Sequence, residues 1–107
     1  VIYQVKMSDE ADKDLEAFNK SQKARIIDVI NRVATNPLPQ NEGGYGKPLG
    51  NKHGRNLTGL CKIVLKNLGI RVVYRLIRTE TTMVVVVIAA RADEEVYDIA
   101  AARAGKS

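Results

Sequence analysis

The sequence predicts an α+β fold: a small, mainly antiparallel sheet covered on one face by an N-terminal helical hairpin, in the order β-α-α-β-β-β-α. Three observations predict it. Apolar residues recur at helical spacing between Ala11 and Ala34; residues 60–78 alternate with a period of two around Asn67-Leu68-Gly69; and residues 83–90, MVVVVIAA, are apolar on both parities.

The elements follow in order. Residues 1–7, VIYQVKM, place Val1, Tyr3, Val5 and Met7 on one side and predict an opening strand. Ser8 is positioned to cap a helix, Asp9 and Glu10 complement its dipole, and Ala11, Leu15 and Phe18 share one face. NKS at 19–21 interrupts the period. Ser21 is the expected cap of a second helix, whose stripe of Ile26, Ile27, Ile30, Val33 and Ala34 stops at Asn36-Pro37. Residues 37–59 hold all three prolines and six of the eight glycines, and read mainly as loop with one short strand near Leu57. Strands at 60–66 and 70–78 come next, then TETT as a turn, then the 83–90 strand, buried on both faces and central. Residues 93–102, DEEVYDIAAA, carry Val96, Ile99 and Ala100 at helical spacing behind an acidic first turn and predict a terminal helix; GKS frays. The length fits one domain, 1–107, with a single modest core.

Composition excludes several classes of function. No apolar run approaches the ~20 residues that span a bilayer, and the N-terminus turns acidic where a signal peptide is apolar, so a soluble cytoplasmic protein is expected. A lone Cys61 excludes an internal disulfide, and a lone His53 leaves no zinc set; neither metal nor cofactor is expected. The net charge of +5 is unevenly spread. Residues 43–79 contain no acid but eight of the 17 basic residues, while the rest of the chain sets nine basic residues against all 12 acids, a net −3. A segregated positive field is the footprint of a polyanion binder or of a protein with an acidic partner.

The basic residues of the central hairpin lie on one side of it. Cys61, Ile63 and Leu65 share a face with Ile70, Val72, Tyr74 and Leu76, whereas Lys62, Val64, Lys66, Arg71, Val73 and Arg75 fall on the other. That second face either meets water, as antiparallel sheets commonly do, or forms an anion site.

MSDEADKDLEAF opening the helical hairpin, LTGLCKIVLKNLGIRVVYRL as the central hairpin, and VVVIAARADEEVY carrying an Arg and a Tyr into the last helix together resemble the RelE toxin family, within the RelE/ParE superfamily of toxin–antitoxin modules. The resemblance spans nearly the whole chain and implies a ribosome-dependent mRNA endonuclease. RelE-like toxins cut in the A site without metal, the 2′-hydroxyl attacking the neighbouring phosphate to leave a 2′,3′-cyclic phosphate. Such chemistry needs a proton acceptor, cations for the phosphate, and an acid for the leaving oxygen. The resemblance assigns Lys62 to phosphate contact and proton removal, Arg71 to the scissile phosphate, Arg91 to general acid or transition-state clamp, and Tyr97 to stacking on or orienting the nucleotide. Lys47, Lys52, Arg55, Lys66 and Arg75 are the further RNA-binding candidates. It also implies a cognate antitoxin that covers the basic site in a hetero-oligomer, with ribosome and mRNA as the other partners. Val64 departs from the pattern, because many relatives carry a second lysine there. That departure keeps two alternatives open: a ParE-like inhibitor of DNA gyrase, and an RNA-binding domain that no longer cleaves.

Each candidate has a plainer reading. Lys62, Lys66 and Arg75 are solvated strand residues, Arg91 pairs with Asp93, Glu94 or Glu95, and Tyr97 is core. His53, in a glycine-rich loop without a carboxylate partner, reads as a surface histidine, and Cys61 as packing. GGYGKP at 43–48 is no phosphate loop, since Pro48 stands where a Ser or Thr is needed.

Overall fold

The computed structural model describes residues 1–52, of Lys52 the backbone alone, and residues 54–104; the expectations for His53 and for the GKS tail lie outside the described residues. The chain runs β1 (Gln4–Met7), α1 (Asp9–Glu16), α2 (Lys20–Val33), β2 (Lys47–Lys52), β3 (Arg55–Leu65), β4 (Ile70–Ile77), β5 (Thr82–Ala89) and α3 (Asp93–Ala104). The strands form one sheet in the order β1-β5-β4-β3-β2. Only β1 and β5 run parallel. The α+β class and the mainly antiparallel sheet are as expected.

Local chemistry explains each boundary. Ser8 caps α1, its hydroxyl accepting from the Ala11 N–H at 3.1 Å. Asn19, not Ser21, caps α2: its side chain accepts from the Gln22 N–H at 2.8 Å while Gln22 accepts from the Asn19 N–H at 3.0 Å, a reciprocal capping box. The α2 stripe is narrower than its sequence suggests, because Ile27 is exposed while Ile26, Ile30, Val33 and Ala34 are buried. β1 begins at Gln4, with Val1 and Ile2 exposed.

The segment read as loop holds a fourth antiparallel strand. β2 pairs with β3 through Lys47↔Lys62, Pro48↔Cys61 and Gly50↔Leu57, and β3 starts five residues earlier than the alternation shows. Glycines and a proline conceal this strand from pattern reading; Pro48 is tolerated because β2 lies at the sheet edge. The loop before it packs against Tyr74, whose hydroxyl donates to the Pro37 carbonyl at 2.8 Å. Gly46 is required there, since a Cβ would stand 2.1 Å from that hydroxyl.

Apolar side chains cover both faces of the sheet. The helical hairpin packs Ala11, Ile26, Ile30 and Val33 against Cys61, Val72, Tyr74, Val85 and Ile88, as expected. On the opposite face α3 packs Val96, Tyr97 and Ala100 against Leu49, Leu57, Leu60, Val73, Val86 and Val87. A bulge serves both cores. Val73 pairs with Val87 but Tyr74 with Val85, so Val86 and Val87 turn to the α3 side while Val85 and Ile88 face the hairpin. β5 is buried along its whole length between β1 and β4, although β4 is the middle strand of the five.

Candidate functional site

The β3–β4 hairpin and the first turns of α3 build one charged cluster. Gly69, at φ +65°, makes the hairpin turn that a side chain would strain. The register sets Lys62 opposite Val73 and Val64 opposite Arg71, so both cations project from the face that α3 covers. Packing of Val96, Tyr97 and Ala100 then brings the acidic first turn of α3 over them.

Lys62 is 5% exposed, which excludes the reading of a solvated strand residue. A buried ammonium must be compensated. Its Nζ donates to the Tyr97 hydroxyl at 2.9 Å and lies 3.0 Å from Asp93 Oδ1. The ammonium is 5.3 Å from the Tyr97 ring centroid. With the hydroxyl so much nearer, it sits off the phenol's oxygen end rather than over the ring face. Burial by itself pulls the Lys62 pKa down, but the hydrogen bonds with Tyr97 and Asp93 outweigh it and hold the group above its ordinary value. Lys62 is therefore an ammonium at neutral pH, suited to binding an anion and not to taking a proton.

Arg71 closes the cluster from β4. Its Nε donates to Asp93 Oδ1 at 2.5 Å and its Nη1 to the Arg91 carbonyl at 2.5 Å. Burial pushes the Asp93 carboxyl up, and the hydrogen bonds from Lys62 and Arg71 more than reverse this, leaving it below the usual carboxylate range. Two cations thus converge on a single anionic oxygen.

The remaining candidates are dispersed. Arg91 contributes its carbonyl to the cluster, while its side chain pairs with Glu95 at 3.0 Å on the surface. Arg55 is tied to α3 through Glu94 and Asp98. Lys47 and Lys66 are exposed and, with Gln40, Tyr45, Lys62 and Val64, line a hollow of about 390 Å³ beside the cluster. Arg75 is half-buried, near Arg103, in a separate hollow of about 200 Å³. The Lys52 side chain lies outside the described residues. Among the described residues, no three His, Cys, Asp or Glu side chains are gathered as metal ligands. Sequence reasoning treated Asp93 only as a partner for Arg91 and missed its place between Lys62 and Arg71. The signal was available: a terminal helix docking on the basic face carries its acidic first turn there.

A family model described as the ParE toxin of type II toxin–antitoxin system, parDE, matches residues 5–95. Among solved structures, the chain is similar to one in the RelBE2 toxin–antitoxin complex of Mycobacterium tuberculosis, with 26% identity over 87% of this chain and 95% of that one and a TM-score of 0.69. It is similar in fold to an alanine-substituted E. coli RelE in the free state, at 17% identity over 97% and 98% of the two chains with a TM-score of 0.74. Isolated E. coli RelE gives 20% over 95% and 98% with a TM-score of 0.67. A search of curated proteins gave no match.

Proposed function

The chain belongs to the RelE/ParE family of type II toxin–antitoxin toxins, and from that premise we propose that it is an endonuclease cutting mRNA in the ribosomal A site by 2′-hydroxyl attack on the adjacent phosphate. The observation that carries this reading is the convergence of Lys62 Nζ and Arg71 Nε on one oxyanion, Asp93 Oδ1, at 3.0 and 2.5 Å. A non-bridging phosphate oxygen at that point is held by two fixed cations as charge develops on it. Tyr97, buried in the α3 core and bonded to Lys62, keeps the ammonium in place and has no exposed ring face for a nucleotide to stack on. The proton of the attacking hydroxyl passes to solvent, since Lys62 already holds its own, and Arg91, on the exposed rim, releases Glu95 to stabilise the leaving 5′-oxygen, which takes up a proton from solvent. The ribosome positions the RNA for in-line attack. Lys47 and Lys66 steer the message. The toxin works in the cytoplasm, as one domain, and is silenced by an antitoxin whose acidic segment covers the cleft.

Primer extension on programmed ribosomes tests the reading. Cuts within the A-site codon, ending in 2′,3′-cyclic phosphate and lost in Arg71→Ala, are expected. Intact message from the unaltered chain overturns it.

Val64 favours a second reading. Valine in place of a lysine beside Arg71 neither takes a proton nor stabilises an anion, and the matching family model is that of ParE. In that case the chain blocks DNA gyrase, and inhibited supercoiling with intact mRNA is the outcome that distinguishes it.

A further inference from the structure

We propose that Asp93 is a built-in competitor for the anion that this cleft binds. Its carboxylate occupies the oxyanion position between Lys62 and Arg71, so the free chain holds its own site occupied until a phosphate displaces it. The inference rests on the phosphate-binding reading of the cleft given above.

The geometry is asymmetric in a way that suits displacement. Lys62 is fixed: its side chain is 6% exposed and anchored to Tyr97. The Asp93 side chain is 43% exposed, and a rotation about its own bonds delivers the carboxylate to water. The cation therefore stays when the anion leaves. The cluster of Lys62, Arg71 and Asp93 carries a net +1, and a phosphate oxygen seeking both donors meets an oxygen already within hydrogen-bond distance of each.

The docking of α3 does not depend on this contact. Val96, Tyr97 and Ala100 bury the helix against the sheet, and Arg103 at its far end bonds both Asp14 and the Val86 carbonyl. Asp93 also differs from the other acids on α3: Glu95 pairs with Arg91, and Glu94 and Asp98 with Arg55, all at the periphery.

Titration of the purified chain with inorganic phosphate and with a 2′-O-methyl RNA trinucleotide, followed by NMR, tests the proposal. Asp93→Asn is expected to bind both about tenfold more tightly, the effect of removing one like charge at about 4 Å in a largely hydrated site. Adding Arg71→Gln is expected to abolish the gain. In the unaltered chain, phosphate is expected to shift the Asp93 carboxyl carbon resonance, a readout that does not require the variant to fold. Unchanged or weaker anion binding by folded Asp93→Asn overturns the proposal and makes Asp93 a positioning residue for the two cations, as does an unmoved carboxyl resonance at saturating phosphate. Neither titration involves a ribosome. A gain in affinity without mRNA cleavage therefore refutes the endonuclease while self-occupation stands, and cleavage without the gain does the reverse.

Discussion

Lys62 and Asp93 form an unequal pair: the buried member cannot leave and the exposed member can. Their titrations give opposite pH limbs. The Asp93 carboxyl is lower in the folded chain than unfolded, so its stabilisation is present above about pH 4 and is lost as pH falls through the lower folded value. Lys62 is raised, so its contribution is full below about pH 10.4 and is lost as pH climbs past that. Because Asp93 is 43% exposed, its share is under about 1 kcal/mol. Urea unfolding of Asp93→Asn and the unaltered chain is expected to show a small gap at pH 7 that closes below pH 3; a gap persisting there contradicts the assignment. Tyr74→Phe is expected to cost about 1–2 kcal/mol in the same assay, by leaving the buried Pro37 carbonyl without its donor. The role of Tyr74 as core was legible from strand parity, whereas its bond to Pro37 lies 37 residues away and has no local signature.

At the scale of elements, what read correctly was what depends on period and cap. α1 with Ser8, the hairpin turning at Gly69, the buried β5 and the acidic start of α3 all follow from local residue order. The cap of α2 is not legible locally, because Asn19 and Ser21, two residues apart, both suit the role and only the Gln22 reciprocal bond decides for Asn19. Asn19→Ala is expected to lower stability by about 1 kcal/mol in chemical denaturation. β2 was illegible for a different reason: an edge strand of KPLGNK has no alternation to read, and its existence is decided by pairing with β3. α3 carries the largest consequence. Its docking turns a basic sheet face into a charged cluster in which Lys62 is buried and Asp93 stays half-exposed, and its far end is held by the Arg103–Asp14 pair at 2.6 Å. Arg103→Ala is expected to speed amide exchange across the last turns of α3 while leaving α2 protected, because Arg103 ties α3 to Asp14 of α1 and to the Val86 carbonyl of β5 and not to α2.

Over the whole molecule, the +5 charge overstates what is available to a nucleic acid. Arg55, Lys62, Arg71 and Arg78 of the central basic stretch are committed to Glu94, Asp98, Asp93 and Glu42 within the fold. Among the described residues of that stretch, Lys47, Lys66 and Arg75 make no ion pair. Sequence counting located the positive field correctly but could not see which cations the distant acids of α3 would neutralise. Lys47→Ala with Lys66→Ala is expected to weaken RNA binding and reduce its logarithmic salt slope by about 1.4, the single-strand value for two phosphate contacts. In the proposed reaction, buried Lys62 supplies charge to the reacting phosphate. Single-turnover cleavage of ribosome-bound mRNA by Lys62→Met tests it most directly, with thermal unfolding as the control for folding. Cleavage slowed at least about a hundredfold, the scale set by removing one preorganised charge from a reacting centre, in a chain that still unfolds cooperatively is the predicted result. Cleavage at the unaltered rate by a folded Lys62→Met chain would remove Lys62 from the reaction and make it an anchor for α3.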